Sequence, residues 1–137
     1  MIVVDSSALI AILRREPEAD VFLQVITKAG PCCLSSVSLL ETSMVLAGRS
    51  GDPAAWEGLD TLIARAGMQV VAQDREQAEA AREAFLRYGK GRHPAALNLG
   101  DCASYALARC WNLPLLFKGN DFPRTDVVPA IPARAMG

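Results

Sequence analysis

Four carboxylates in this sequence occupy positions from which they could bind a metal ion together. Asp5 directly follows a short apolar run, and Asp121 lies in a turn after a later one. Glu41 and Asp101 stand in the predicted first turns of two helices. Carboxylate oxygens are hard ligands that suit Mg²⁺ or Mn²⁺, and a carboxylate-held metal pair ~4 Å apart is a common device for phosphodiester cleavage. These residue types therefore indicate hydrolysis by a metal-activated water.

The rest of the composition excludes several other kinds of metal site. The single histidine, His93, excludes sites that need two or more histidines, such as an H-E-x-x-H zinc helix. The four cysteines include no C-x-x-C pair, which excludes zinc-ribbon spacing, and we expect them to be reduced thiols in the core. The net charge of −1 gives, as a total, no sign of a polyanionic partner.

The length and hydrophobicity of the chain are typical of one folded domain. Its 137 residues are 51% hydrophobic, which argues against disorder and allows a core without disulfides. We predict a single domain over residues 1–137. The apolar N-terminus is interrupted by Asp5 and lacks a basic segment, so no signal peptide is expected. No apolar run approaches the ~18 residues of a membrane span, and we predict a cytoplasmic protein with no membrane partner.

Short apolar strands alternate with amphipathic helices along the chain. Strands are predicted at residues 1–4, 32–35, 68–71 and 114–117, with a short fifth strand at 127–128. Helices are predicted at about 7–14, 18–29, from 38 to between 48 and 51, from 53 through 63, at 75–88 and at 99–111. This alternation is typical of βαβ units. We therefore predict an α/β fold, a three-layer α/β/α sandwich with a central, mainly parallel sheet of about five strands.

The predicted topology can gather the four carboxylates at one edge of the sheet. In parallel α/β sheets, sites lie beyond the carboxyl ends of the strands. Asp5 and Asp121 follow strands directly, and the helices that carry Glu41 and Asp101 begin at the same edge. Four carboxylates at one edge repel one another, so the arrangement itself favours a bound cation.

Each carboxylate also has a purely structural interpretation. Glu41 could complete a capping box with Ser38, and Asp101 suits the positive end of a helix dipole. Asp121 could serve only the turn in which it lies, and Asp5 could simply cap the helix that follows it. Taken one at a time, these interpretations stay open, and the case for a metal site depends on the four residues together.

Four segments in order resemble the motifs of PIN-domain ribonucleases, most closely the VapC-type toxins of bacterial toxin–antitoxin pairs. The segments are residues 3–9 (VVDSSAL), 36–41 (SVSLLE), 99–107 (LGDCASYAL) and 115–122 (LLFKGNDF), and the ending 125–130 (TDVVPA) also resembles that family. Each motif alone is weak. Four in order at these spacings, over nearly the whole chain, make a specific resemblance.

The resemblance implies a function and a set of partners. It assigns a Mg²⁺ site, with Mn²⁺ able to substitute, and catalysis to Asp5, Glu41, Asp101 and Asp121. Ser7 would supply a hydroxyl beside the metal, although it could also be an ordinary first-turn serine. The family's activity is Mg²⁺-dependent endoribonuclease cleavage of structured RNA such as tRNA or rRNA, and it implies a cognate VapB-type antitoxin and a homodimer. Asp126, near the fourth motif, is expected to begin a strand or to bind nothing, rather than to bind metal.

Basic residues near these motifs could hold RNA. Residues 82–93 carry four cations and one anion, and this segment leads into the helix of Asp101. Such a loop could hold phosphates next to the cut, or its charges could serve solubility only. The RNA-binding candidates are Lys90, Arg92, His93, Lys118 and Arg124.

Two other functions compete with ribonuclease activity. A receiver-type phospho-acceptor domain also combines a parallel sheet with acidic residues and Mg²⁺. It needs an adjacent acidic pair after the first strand, whereas Asp5 stands alone, and it needs an aspartate after a central strand, whereas none follows residues 68–71. A catalytically inactive PIN fold that acts as a binding module is the second alternative, and the four intact acids argue against it.

Overall fold

The centre of the protein is a four-stranded parallel sheet. A computed structural model describes residues 1–132. The strands are β1 (Ile2–Val4), β2 (Cys32–Ser35), β3 (Gln69–Val71) and β4 (Leu115–Leu116). They lie in the order β3-β2-β1-β4, and each pairing is parallel. β1 is thus a central strand, flanked by β2 and β4.

Helices cover both faces of the sheet. Within residues 1–132 they are α1 (Ser6–Leu13), α2 (Ala19–Ala29), α3 (Ser36–Ala47), α4 (Glu57–Ala66), α5 (Arg75–Tyr88) and α6 (Leu99–Cys110). Short 3-10 turns span Pro53–Trp56 and Phe122–Arg124. None of the helices in this part of the chain is long and apolar enough to cross a bilayer. The predicted three-layer α/β/α sandwich is confirmed, with four strands in place of about five.

Neighbouring residues of each strand point to opposite faces, which builds two separate cores. Val3 and Leu115 pack in the core beneath α5 and α6. Val4 and Leu116 pack in the core beneath α1, α2 and α4. Because both faces are covered, the strands carry continuous apolar runs rather than alternating polar residues. This burial fixes β1, and with it the position at which the chain leaves the sheet after Val4.

The predicted fifth strand at 127–128 is wrong. The segment makes a single bridge in which Leu115 pairs with Pro129, through the Leu115 N–H to Val128 O and the Ala130 N–H to Leu115 O. Proline has no backbone N–H to donate. The next hydrogen bond of a parallel ladder would need the N–H of residue 132, so Pro132 prevents the bridge from extending.

The cysteines are free thiols, as predicted. Cys32, Cys33 and Cys102 are buried, and Cys110 is partly exposed. Burial raises the pKa of the Cys33 and Cys102 thiols to about 11. At neutral pH they are therefore protonated and behave as small apolar side chains.

Asp126 fastens the segment after β4 to α5 and α6. Its carboxylate accepts a hydrogen bond from the Tyr105 hydroxyl, and its Oδ2 lies 3.1 Å from Arg109 Nη1 and 3.5 Å from Arg87 Nη1. Partial burial opposes ionisation, but the Tyr105 hydroxyl and the two guanidinium charges hold the pKa of Asp126 below its usual value. Of the two alternatives for Asp126, the start of a strand is wrong. Its carboxylate instead makes a hydrogen bond and ion pairs within the fold.

Replacing Asp126 with asparagine should lower the free energy of unfolding by about 1 kcal/mol at pH 7. The folded-state pKa lies below the unfolded value of about 3.9. The ionised carboxylate therefore stabilises the fold above the unfolded pKa, and this contribution is lost as pH falls through the folded pKa. Urea unfolding in EDTA should show wild type and D126N differing at pH 7 and converging as the pH falls below the folded-state pKa of Asp126. D20N, a change in the first turn of α2, is the control, and an equal deficit of D126N at pH 7 and below that pKa would contradict the assignment.

Candidate active site

Asp5 stands at the carboxyl end of the central strand and begins α1. Its backbone N–H donates to Leu116 O at 2.9 Å, and its Oδ2 accepts the Ser7 N–H at 3.0 Å. Asp5, rather than Ser6, is therefore the N-cap of α1, which is the structural role that the sequence left open. Capping of α1 does not explain why the Asp5 side chain is so deeply buried. Asp5 is 1% exposed, and a carboxylate that deep requires partners.

Glu41 lies in the second turn of α3. The helix begins at Ser36 because Ser35 Oγ accepts the Val37 N–H at 3.1 Å. The predicted capping box of Ser38 and Glu41 is therefore wrong, and the Glu41 carboxylate is free for other contacts. It accepts a hydrogen bond from Ser6 Oγ at 2.5 Å.

The Glu41 carboxylate also lies against the first turn of α6. A Cβ placed on Gly100 would come within 2.3 Å of both Glu41 carboxylate oxygens. Gly100 thus leaves the space that the carboxylate fills, immediately before Asp101. This contact brings together two motifs that are about 60 residues apart in the sequence.

Asp101 takes part in the cap at the start of α6. Its Oδ2 accepts the Asn98 N–H at 3.1 Å, and Asn98 Oδ1 accepts the Asp101 N–H at 2.9 Å. Burial, opposed by the Asn98 hydrogen bond and assisted by the charges of three other acids, raises the pKa of Asp101 to about 6. The three acids are Asp5, Glu41 and Asp121.

Asp121 completes the set from the loop after β4. It is exposed, precedes the Phe122–Arg124 turn and makes no side-chain capping bond, so the turn does not use its carboxylate. The negative charge of Asp121, like those of Asp5 and Glu41, raises the pKa of Asp101. The four carboxylates therefore interact electrostatically with one another. We call these four carboxylates the acidic rim.

The acidic rim has the chemistry of a Mg²⁺ or Mn²⁺ site. Among residues 1–132, no three Asp, Glu, His or Cys side chains close around a single point as a complete ligand set. Ser6 holds one oxygen of Glu41, and Asn98 holds one oxygen of Asp101. Mg²⁺ retains several waters and takes only one or two carboxylates in many sites. An all-oxygen donor set under mutual repulsion fits such a cation.

Ser7 lies beside Asp5. Its Oγ donates to Asp5 Oδ2 at 2.6 Å and accepts the Lys118 N–H at 3.0 Å. The hydroxyl therefore joins α1 to the segment that leads from β4 to Asp121. It helps to hold two members of the acidic rim in a fixed relation.

The first group of RNA-binding candidates lies in the loop after α5. Lys90 and Arg92 are exposed, and the Arg92 guanidinium lies 5.5 Å from the centre of the Phe85 ring. His93 is partly buried, its Nδ1 accepts a backbone N–H at 3.0 Å, and its ring packs edge-on against Tyr88. His93 thus shapes the loop, whereas Lys90 and Arg92 present free charge to solvent.

The second group flanks Asp121. The Lys118 ammonium lies 2.8 Å from Glu16 and 3.1 Å from Glu18, and its hydrogen bonds to these carboxylates raise its pKa. Arg124 is exposed in the turn after Asp121. The charge of Lys118 is thus shared with two acids before any substrate arrives, whereas Arg124 is exposed beside Asp121.

Several residues that build the site were missed from the sequence. Ser6 binds Glu41, Gly100 makes room for it, and Ser104 binds Asp5 at 2.5 Å. Small residues in the first turns of α1 and α6 are a weak signal on their own. Only the crossing of the helices at the end of the sheet gives them a role.

Comparison with known proteins places this geometry in a family. The family model of the PIN domain matches residues 2–128. The chain belongs to the PIN-domain family. Ribonuclease VapC of Mycolicibacterium smegmatis is 50% identical over 125 residues, which cover 91% of this chain and 96% of that protein. Ribonuclease VapC30 of Mycobacterium tuberculosis is 47% identical over 125 residues, 91% and 95% of the two chains. The predicted VapC-type PIN domain is therefore confirmed.

Solved structures show the same fold. Mycobacterium tuberculosis VapC20, described as a sarcin–ricin loop cleaving toxin, superposes with a TM-score of 0.74 at 21% identity, covering 93% of this chain and 97% of that one. A toxin–antitoxin complex from Klebsiella pneumoniae gives a TM-score of 0.67 at 21% identity, covering 96% and 98%. At these identities the likeness supports the PIN fold.

Proposed function

We propose that this VapC-type PIN domain is a Mg²⁺-dependent endoribonuclease toxin that cleaves structured RNA such as tRNA or rRNA. Relatives at 50% and 47% identity are named ribonucleases, and VapC20 is described as cleaving the sarcin–ricin loop. The observation that carries the proposal is the acidic rim, in which four separate segments supply carboxylates that share one negative field. Such a field would repel a phosphodiester unless a cation offsets it.

The acidic rim would hold Mg²⁺, or Mn²⁺ in its place, through Asp5, Glu41, Asp101 and Asp121. When bound, the cation supplies Lewis acidity, which lowers the pKa of water and offsets charge on the phosphate oxygens. Asp5 is the most constrained member, since both of its oxygens accept hydrogen bonds. The capping bond uses Oδ2 of Asp101 and leaves Oδ1 for a metal ion. The turn after Asp121 does not use its carboxylate, which is likewise left for a metal ion.

RNA would be held by exposed cations on either side of the acidic rim. Lys90 and Arg92 lie in the loop that precedes α6, and Arg124 follows Asp121. Lys118 would contribute by exchanging its pairing with Glu16 and Glu18 for a phosphate, and His93 would support the loop. Contacts of this kind position the backbone and carry little sequence information, so the choice of RNA would depend on its shape.

Removing the two free cations of the loop should weaken RNA binding without affecting catalysis directly. We expect the double variant K90A/R92A to lower the affinity for structured RNA and to reduce the slope of log K against log salt by about 2, one for each lost phosphate contact. Filter binding over a salt series in Ca²⁺ or EDTA would measure this. K28A/R65A removes the same charge from α2 and α4 and should leave the slope unchanged. An unchanged slope in K90A/R92A would assign the loop charges to solubility.

We also propose a cognate VapB-type antitoxin and a homodimer. The antitoxin follows from the resemblance to VapC toxins and should abolish cleavage when added in equal amount to the purified protein.

For the homodimer, Leu40 and Met44 lie one turn apart on α3 and are 61% and 65% exposed, and Leu99 at the start of α6 is 82% exposed. Apolar side chains grouped in this way favour a covered surface. Sedimentation equilibrium tests it, and a monomer at micromolar concentration would contradict it.

The RNA target can be found directly. Expression of the protein without antitoxin, followed by sequencing of newly formed RNA ends, should reveal one or a few sites in structured RNA. The same experiment with D5N should give no new ends. Ends that appear equally with D5N would contradict the proposal and favour a non-catalytic binding module.

A further inference from the structure

Asp5 is held from two sides by hydroxyl groups. On one side, Ser7 donates its N–H and its Oγ–H to Oδ2 at 3.0 and 2.6 Å. On the other side, Ser104 Oγ donates to Oδ1 at 2.5 Å. The carboxylate plane is therefore fixed, rather than free to rotate about the bond to Cβ. Capping of α1 needs only the Oδ2 contact, so the Ser104 bond is not needed for the helix.

Ser104 belongs to a second, completely buried pair of hydroxyls. Ser104 Oγ lies 3.1 Å from Ser38 Oγ, and both residues are 0% exposed. Ser38 stands three residues before Glu41 on α3, and Ser104 stands three residues after Asp101 on α6. Residues three apart share a helix face. The two serines therefore lie on the sides of α3 and α6 that also carry two members of the acidic rim.

The direction of the hydrogen bonds in this pair follows from proton counting. A serine hydroxyl has one proton to donate. Ser104 donates its proton to Asp5, which is acceptor-only when ionised, so Ser38 must donate to Ser104. The result is a one-way chain from Ser38 through Ser104 to Asp5. A donor whose own oxygen accepts a hydrogen bond is polarised and donates more strongly.

Packing alone does not require the Ser104 hydroxyl. The neighbours of Ser104 on α6 include Ala103, Ala106 and Ala108, all buried. Alanine at 104 would fill nearly the same space without a polar group. The hydroxyl is therefore best explained by what it does to Asp5.

We propose that Ser104, supported by Ser38, is a positioning residue that orients the Asp5 carboxylate for the divalent cation and so sets the metal affinity of the acidic rim. This inference rests on the proposed metal-dependent function. Ser104 acts through Asp5 and does not itself touch the substrate. Groups that orient metal ligands typically change metal affinity by about 10–100-fold when they are removed.

The test is metal binding by purified variants, measured by calorimetry with Mn²⁺ and by the Mn²⁺ dependence of the melting temperature. S104A should raise the Mn²⁺ concentration for half-saturation by about 10–100-fold, and S104T, which keeps the hydroxyl, should bind nearly as wild type does. S38A leaves the Ser104 bond in place and should give a smaller shift in the same direction. At saturating Mn²⁺, S104A should cleave RNA with an unchanged KM.

Thr42→Val is the matched control. Thr42 is also 0% exposed on α3, but its hydroxyl donates to Ser38 O within the helix and does not contact Asp5. The Thr42→Val variant should differ from wild type in its melting temperature in EDTA, and its affinity for Mn²⁺ should be unchanged. Folded S104A and S38A with wild-type Mn²⁺ affinity would overturn the positioning role alone. Wild-type protein that binds no Mn²⁺ and cleaves RNA in EDTA would overturn both this role and the proposed function.

Discussion

Asp5→Asn should reduce RNA cleavage by more than about 100-fold while the protein remains folded. Removing a group that merely orients a metal ligand costs about 10–100-fold in metal affinity or activity, so removing the charge of the most constrained ligand should cost at least as much. Asparagine is as good an N-cap as aspartate, so α1 should keep its start. Cleavage of a structured RNA and the melting temperature in EDTA would be measured on the same preparations.

The control for Asp5→Asn is a second N-cap outside the acidic rim. Asp74 caps α5 by accepting the Gln77 N–H at 2.9 Å, and D74N makes the same chemical change at an exposed site. It should retain full activity. Substantial cleavage by folded D5N, at a rate within a few-fold of wild type, would remove the metal-ligand role of Asp5.

Gly100→Ala should impair catalysis by at least about 10-fold with little loss of stability. The added Cβ would meet both Glu41 carboxylate oxygens at 2.3 Å, so the carboxylate must move away from Asp101. Because the contact is with the end of a flexible side chain, the backbone need not shift. Alanine also favours a helix over glycine by ~1 kcal/mol, which offsets any strain. Activity and Mn²⁺ affinity should therefore fall together while the melting temperature in EDTA stays close to that of wild type.

Gly58→Ala provides the matched helical substitution. A Cβ on Gly58 in α4 would meet Leu13 Cδ2 at 3.5 Å, which is ordinary contact. G58A should be equal to wild type in cleavage and equal or higher in stability. If G100A matched G58A in activity, Glu41 would not need its place beside Asp101, and its role as a ligand would be wrong.

Much of the fold followed from local patterns in the sequence. The apolar runs predicted β1, β2, β3 and β4 to within one or two residues, and the helix predicted from residue 99 matches the start of α6. These features depend on neighbouring residues only. The edge of the sheet at which the acids meet followed from the rule for parallel strands.

The remaining features depend on contacts between distant segments. The sequence predicted a cap at Ser38, whereas in the structure Ser35 caps α3 and Ser38 pairs with the buried Ser104. The fifth strand was predicted from Val127 and Val128, but Pro132, which has no N–H to donate, limits the pairing to a bridge. A sequence pattern does not reveal that Gly100 accommodates Glu41, because that contact exists only once α3 and α6 cross.

The measurement that tests the central claim most directly is cleavage of a structured RNA by the purified protein with and without divalent metal. Chelated protein in excess EDTA should be inactive, and addition of Mg²⁺ or Mn²⁺ should restore cleavage in wild type and not in D5N. Acetyl phosphate in a parallel sample should label no aspartate. Cleavage that persists in excess EDTA, or an aspartyl phosphate in place of RNA cleavage, would contradict a carboxylate–metal ribonuclease.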